Sequence, residues 1–182
     1  MYLSTEAARR HRVRLANTLQ TGDLVIVPAA RLTTRNNDVH HRFRQDSDFY
    51  YLTAFLEPDA VAVIKKQETT TEYTLFVLPK NPEREVWDGY RCGADGAVTE
   101  FGADKAYSID ELNEVMPDLI DGSTRVIYPV NDSSFDQRFS AWRKTVQAKV
   151  RLGAQCPATF VDLGSIVHEQ RLIKDDYELD LM

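Results

Sequence analysis

The sequence predicts an α/β domain, and three observations carry that prediction. Short apolar runs of buried-strand length recur, at Leu24-Val25-Ile26-Val27, at Ala60-Val61-Ala62-Val63-Ile64 and at Val126-Ile127-Tyr128. Between them lie stretches with helical spacing, the clearest placing Phe135, Phe139, Trp142 and Val146 on one face. Turn and cap residues punctuate the two kinds: Pro28, Pro129 and Gly153 close segments, while Ser108 and Asp175 open them. At 182 residues the chain is long enough for one well-cored domain.

Residues 5–19 suit a helix, with Thr5 as its cap, Glu6 in the first turn and Ala8, Leu15 and Leu19 on an apolar stripe. Arg9, Arg10, Arg12 and Arg14 on the other side read as a solvated face. Gly22 ends the helix, and Leu24 to Val27 form a first buried strand stopped by Pro28. Residues 29–43 make a polar connection of the length that often carries function. Its adjacent His40 and His41 diverge on an extended backbone, so they read as surface residues rather than joint ligands of one metal.

Residues 44–58 are expected to form the central strand. Phe49, Tyr50 and Tyr51 would alternate sides, which calls for cover on both faces, and Pro58 disfavours helix at Glu57. Residues 60–65 and 73–78 then read as antiparallel neighbours joined by a polar loop. Pro79 and Pro82 break the pattern before Trp87, which stands among charges beside Gly89, either as a surface lid or folded back onto the core.

Ser108 and Glu111 have capping-box spacing, and Pro117 is expected to kink or end the helix they open. Residues 132–150 form the clearest helix, with Lys144, Lys149 and Arg151 near its negative end. Phe160-Val161-Asp162 leads into a further helical stretch, and Asp175 with Glu178 repeats the capping box. The helix announced there has only about two turns before Met182. The expectation is a fragment cut at a domain boundary, with residues 1–160 as the α/β domain and residues 161–182 as a helical connection onward.

Composition narrows the function classes. An apolar content of 43% and a charged content of 27% are ordinary for a soluble globular protein. A net charge of −6 argues against a sequence-independent grip on nucleic acid. Two widely separated cysteines read as free thiols in a reducing compartment, no signal peptide pattern opens the chain, and no apolar run approaches the ~20 residues of a membrane span. A cytoplasmic location without nucleic-acid or membrane partners is therefore expected. The catalytic inventory is thin. His168-Glu169 lacks the second histidine of a zincin helix, and no glycine-rich phosphate loop or nucleophile elbow is present. Cys92 lies between Arg91 and Gly93, where a thiolate is favoured. Asp46, Asp48, Glu57 and Asp59 cluster along the chain, but without a histidine they read as solvated or capping carboxylates. The residues alone describe a non-catalytic α/β domain.

Three motifs add a family. Residues 44–58, Arg-Gln-Asp-Ser-Asp-Phe-Tyr-Tyr-Leu-Thr-Ala-Phe-Leu-Glu-Pro, resemble the R-Q-x-S-D-F-x-Y-x-T-G-F-x-E-P signature of aminopeptidase P, the Xaa-Pro aminopeptidases. Glu85-Val86-Trp87-Asp88-Gly89 is similar to that family's E-x-W-x-G segment. Val167-His168-Glu169-Gln170-Arg171-Leu172-Ile173-Lys174 with Glu178 resembles its V-H-E-x-R-x-x-K-x-x-x-E stretch. The one departure is Ala54, where the family has glycine.

The resemblance implies an N-terminal domain with a mixed sheet of ribonuclease-H-like topology flanked by helices, followed by a pita-bread catalytic domain. That second domain would hold two divalent metal ions, manganese in the family, through Asp, Asp, His, Glu and Glu, and would remove the residue preceding proline. None of the five ligands falls in the matched segments, so this chain is expected to hold no cofactor and to be inactive alone. The implied substrate-binding residues are Asp38 in Arg35-Asn36-Asn37-Asp38, Trp87 as a lid over a neighbouring subunit's cleft, and Arg151 near a domain interface. Implied partners are the chain's own C-terminal catalytic domain, further copies in a homo-oligomer (dimer or tetramer) and proline-containing peptides. Prolidase is a sister reading. A free-standing binding module, as in histone-chaperone relatives of this architecture, is the reading from another class.

Overall fold

A computed structural model describes residues 2–130 and 132–182. In chain order the elements are α1 (Thr5–Ala16), β1 (Asp23–Pro28), a short hairpin of β2 (Thr34–Asn36) and β3 (Val39–His40), α2 (Ser47–Thr53), β4 (Val61–Lys66), β5 (Thr71–Val77), α3 (Pro82–Asp88), α4 (Gly93–Thr99) and β6 (Lys105–Ser108). Then follow α5 (Leu112–Ile120), β7 (Arg125–Tyr128), α6 (Ser133–Ala148), β8 (Thr159–Asp162), α7 (Gly164–Leu172) and α8 (Asp176–Leu181).

The mixed sheet expected above has six strands in the order β6-β5-β4-β1-β7-β8. β4 is antiparallel to both neighbours, and the other pairings are parallel. β1 is central and covered on both sides, which is why its apolar run is continuous rather than alternating. Val25 and Val27 face a core built with Leu15 of α1, Phe49 and Leu52 of α2, Ala97 of α4 and Val167 of α7. Leu24 and Ile26 face Met116 and Ile120 of α5 and the stripe Phe135, Phe139, Trp142 and Val146 of α6. The antiparallel partnership of β4 and β5 also matches the reading of their sequences.

Residues 44–58 do not form the central strand; their aromatic centre is α2. Asp46 caps it, its Oδ1 accepting from the N–H groups of Asp48 and Phe49 at 3.0 and 2.8 Å. Successive helical residues are turned by roughly 100°, so three adjacent rings separate without needing two sheet faces. Phe49, Leu52 and Thr53 then point to the core at helical spacing. Gln45 holds the flanking segments together: its amide nitrogen donates to the carbonyls of Phe55 and Glu57, and its Oε1 accepts from Ala30 and Asp46 N–H.

Ala54 ends α2 in the left-handed region with φ of 56°. That is the physical meaning of the glycine found there in the resembling motif. A left-handed alanine costs about 1 kcal/mol relative to glycine, so Ala54→Gly is expected to raise stability by about that amount, read as an upward shift in the urea midpoint. An unchanged or lower midpoint would show that burial of the Ala54 methyl outweighs the backbone strain.

Other local expectations shift. The cap of α1 is Ser4, whose Oγ accepts from Ala7 N–H at 3.2 Å, not Thr5. Arg12 is not on a solvated face: it is buried, donates to the Leu52 carbonyl at 2.8 Å and lies 4.0 Å over the Tyr73 ring. The long polar connection contains the β2–β3 hairpin. Pro117 sits inside α5, which ends three residues later. The capping boxes at Ser108–Glu111 and Asp175–Glu178 both form. β8 extends the sheet to Asp162, across the position where the helical connection begins in the sequence reading, and Leu163 and Val167 enter the core.

Candidate functional site

Strands β1, β5, β6, β7 and β8 run in one direction, so the loops after them share one edge of the sheet. The chain order reverses beside β1, with β4, β5 and β6 to one side and β7 and β8 to the other. In α/β sheets the crevice outside such a switch point is the usual ligand position. A cleft of about 890 Å³ opens there, between the end of β1, the start of α2 and the start of α6.

Its charged lining includes Arg31, Arg44 and Arg138 with Asp46, Asp48, Asp59 and Asp132. Most of these carboxylates already have structural partners. Asp46 caps α2, and Asp132 caps α6, accepting from Ser134 and Phe135 N–H. The Ser134 hydroxyl holds the Asp132 carboxyl below its usual range. Arg138 lies 5.5 Å over the Trp142 ring, and burial lowers its pKa. Among the described residues lining this cleft there is no histidine or cysteine. The arrangement can bind and orient charged or polar groups.

The expected site residues distribute over both edges. Asp38 is exposed on the turn between β2 and β3, which follows the C-terminal end of β1. Trp87 is on α3, after the C-terminal end of β5, and is 87% exposed. It is a surface side chain, not one folded onto the core. Val86 and Tyr90 are exposed beside it, so an apolar patch accompanies the ring. Arg151 is elsewhere. It lies in the 3-10 turn Val150–Leu152 after α6, next to Ser123 and Thr124, which precede β7. Asp38 and Trp87 thus share an edge, and Arg151 occupies the opposite one.

The fold also pairs residues that the linear reading left apart. Asp48 of α2 accepts from Arg171 Nη1 and lies 3.0 Å from His168 Nε2, joining residues 120 or more positions apart. Two of the motif segments therefore hold each other, docking α7 onto α2. His168 is not an isolated surface residue. In sequence their polar residues read as caps and surface, because nothing local says which distant charge will face them.

Glu57 and Cys92 form a second such pair. Glu57 Oε1 accepts from Cys92 N–H at 2.8 Å, while its Oε2 is buried without a hydrogen bond. Burial, then the Glu57 carboxylate, push the Cys92 thiol up to about 12. The thiolate suggested by the neighbouring arginine is thus disfavoured. Burial also raises the Glu57 pKa above its ordinary 4.5. Such a carboxyl binds protons more tightly folded than unfolded, so its contribution to stability falls as pH rises above 4.5 through the folded value. Glu57→Gln keeps the acceptor and removes the charge. It is expected to match the parent near pH 4 and to be the more stable of the two at pH 7; a pH-independent difference in thermal midpoint would contradict this.

Residues 8–128 match the family model described as aminopeptidase P, N-terminal domain. The chain is 31% identical over 182 residues to the Xaa-Pro aminopeptidase of Escherichia coli, an alignment covering 99% of this chain and 41% of that protein. It is 31% identical over 166 residues to human Xaa-Pro aminopeptidase 3, covering 89% of this chain and 32% of the human protein. The solved structure of Pseudomonas aeruginosa aminopeptidase PepP superposes with a TM-score of 0.95 at 41% identity, covering 100% of this chain and 41% of the other. The chain therefore spans between a third and about two fifths of the length of these relatives. No helix among the described residues is long and apolar enough to cross a membrane.

Proposed function

The chain belongs to the aminopeptidase P N-terminal domain family, and from that premise we propose that it is the non-catalytic N-terminal domain of a metal-dependent Xaa-Pro aminopeptidase. The observation that carries the reading is the superposition of the whole chain onto 41% of a solved aminopeptidase chain. The catalytic work, removal of the residue preceding proline, is assigned to a C-terminal domain holding two divalent ions, manganese in our proposal. The residues of this chain do not fit that metal pair. The carboxylates of the cleft come without a histidine, and Asp46 and Asp132 are used as helix caps.

This domain would then supply substrate access and oligomer contacts. Asp38 and Trp87, on one sheet edge, would face the peptide: the carboxylate to hold a substrate amine, the indole to cover a neighbouring subunit's cleft. Arg151, at the other edge, would act at an interface with an adjoining domain or subunit. The enzyme would work in the cytoplasm on proline-containing peptides.

The encoded sequence beyond Met182 tests the core of the proposal. A following domain with Asp, Asp, His, Glu and Glu in ligand positions, and Mn2+-dependent release of the first residue from X-Pro peptides, is the expected result. A stop codon at that point would make the chain a free-standing module, and activity confined to X-Pro dipeptides would make it a prolidase domain. Trp87→Ala in the full-length enzyme is expected to lower kcat/KM for longer peptides by about tenfold. Because the ring is exposed, domain stability should change by less than about 0.5 kcal/mol. Unchanged kinetics across peptide lengths would remove the lid.

A further inference from the structure

His11 of α1 is completely buried, at 0% exposure. Its Nδ1 lies 2.8 Å from the Tyr51 carbonyl oxygen, and its ring stacks on the Tyr51 ring at 3.8 Å. A carbonyl only accepts, so Nδ1 carries the proton and Nε2 of the neutral ring presents a lone pair. Burial, opposed by the Tyr51 hydrogen bond, lowers the pKa of His11 and favours that neutral form. Yet Nε2 has no hydrogen-bond partner. It faces Asp175 Oδ2 and Glu178 Oε2, each 3.9 Å away, and the three atoms lie within 4.8 Å of one another.

Three electron-pair donors converge here, and none of them donates a proton to the His11 Nε2 lone pair. The separations are about 1 Å too long for hydrogen bonds. Around a tetrahedral zinc ion with bonds of roughly 2.0–2.2 Å, neighbouring ligand atoms stand about 3.4 Å apart. Closing the site on an ion would shorten each imidazole–carboxylate separation by about half an ångström and the carboxylate–carboxylate one by up to about 1.4 Å. Both carboxylates are steered by the capping box: Asp175 Oδ1 accepts from Glu178 N–H, and Glu178 Oε2 accepts from Asp175 N–H, each at 2.9 Å. Arg14, whose side chain is half-buried, brings its Nη2 to 3.9 Å from Asp175 Oδ2. Arg171 is engaged with Asp48. The backbone carbonyl on Nδ1 is the outer contact that fixes the tautomer of metal-binding histidines.

We propose that His11, Asp175 and Glu178 form a binding site for one divalent transition-metal ion, Zn2+ by its ligand set, which fastens α8 to α1. One imidazole nitrogen and two carboxylate oxygens suit a borderline ion. A helix of the length of α8 is marginal without tertiary support, so the ion would supply the cross-link that holds it. The site lies wholly within this chain and does not depend on the peptidase reading.

The test is titration of the 182-residue chain, stripped with a chelator, with Zn2+ by calorimetry and with Co2+ by visible absorption. One equivalent bound, with ligand-field bands for Co2+, is expected. The double variant D175N/E178Q keeps both capping interactions, since Asn and Gln serve as caps, and it is expected to fold but bind at least about tenfold more weakly. Absence of binding at one equivalent would overturn the site. So would undiminished binding by the folded D175N/E178Q chain, which would place the metal elsewhere. Nuclear magnetic resonance showing both His11 nitrogens protonated at neutral pH and unmoved by Zn2+ would make the cluster an ion pair instead.

Discussion

Replacing Phe55 by alanine is expected to lower the stability of the domain by about 4 kcal/mol. Phe55 is fully buried just beyond α2 and meets two rings edge-on, Phe101 at 4.8 Å and Phe49 at 6.3 Å. The loss combines the transfer term of a large apolar side chain with a cavity term and the aromatic contacts. The cavity cannot collapse easily, because the backbone on both sides is tied. Phe55 N–H donates to Thr53 Oγ1 at 3.0 Å, and its carbonyl accepts from Gln45 at 3.2 Å. Urea unfolding should show a lower midpoint with an unchanged m-value. A loss below about 1 kcal/mol would mean that the surrounding segments relax far more than these hydrogen bonds allow.

Asp23→Ala comes next, with an expected loss of about 3 kcal/mol. Asp23 opens β1 and is 1% exposed; opposite it in the parallel register stands Arg125, the first residue of β7. The pair is bidentate. Arg125 Nε donates to Asp23 Oδ1 at 2.8 Å, Nη2 donates to Oδ2, and Oδ2 also accepts from Gln20 N–H at 2.8 Å. Truncation would leave a partly buried guanidinium without its counter-ion and a loop N–H without its acceptor. Asp23→Asn, which can still accept from Gln20, should lose less. Equal losses for the two variants would assign the whole effect to the lost charge opposite Arg125 rather than to packing or the Gln20 contact.

Much of the sheet was legible. β1, β4, β5 and β7 each carry an apolar run bounded by turn residues, and α6 carries its core stripe at helical spacing. These signals are local, set by the period of the backbone itself. The four-residue edge strands β6 and β8 were not legible, because each is a strand only by pairing with a distant partner. In residues 44–58 the cap Asp46 and the spacing of Phe49 and Leu52 are visible in sequence, whereas the left-handed conformation of Ala54 is not. Cap and spacing were outweighed by three adjacent aromatics read with the wrong period. Of the candidate site, Trp87 was legible as an apolar ring among charges, but only the fold places it on the same edge as Asp38 and sets Arg151 opposite.

The α/β class, most core strands, the two capping boxes and, through three ordered motifs, the family can all be read from the amino-acid sequence. Each depends on neighbours within a few positions, where spacing decides which face is apolar and which N–H groups need a cap. The packed fold is needed to see that Arg12 is buried over Tyr73, that Asp48 meets His168 and Arg171, and that His11 faces Asp175 and Glu178. A charged side chain has the same local signature whether it ends in water or against a distant partner. Burial and pairing are settled by which elements pack together, and so they appear only when the chain is folded.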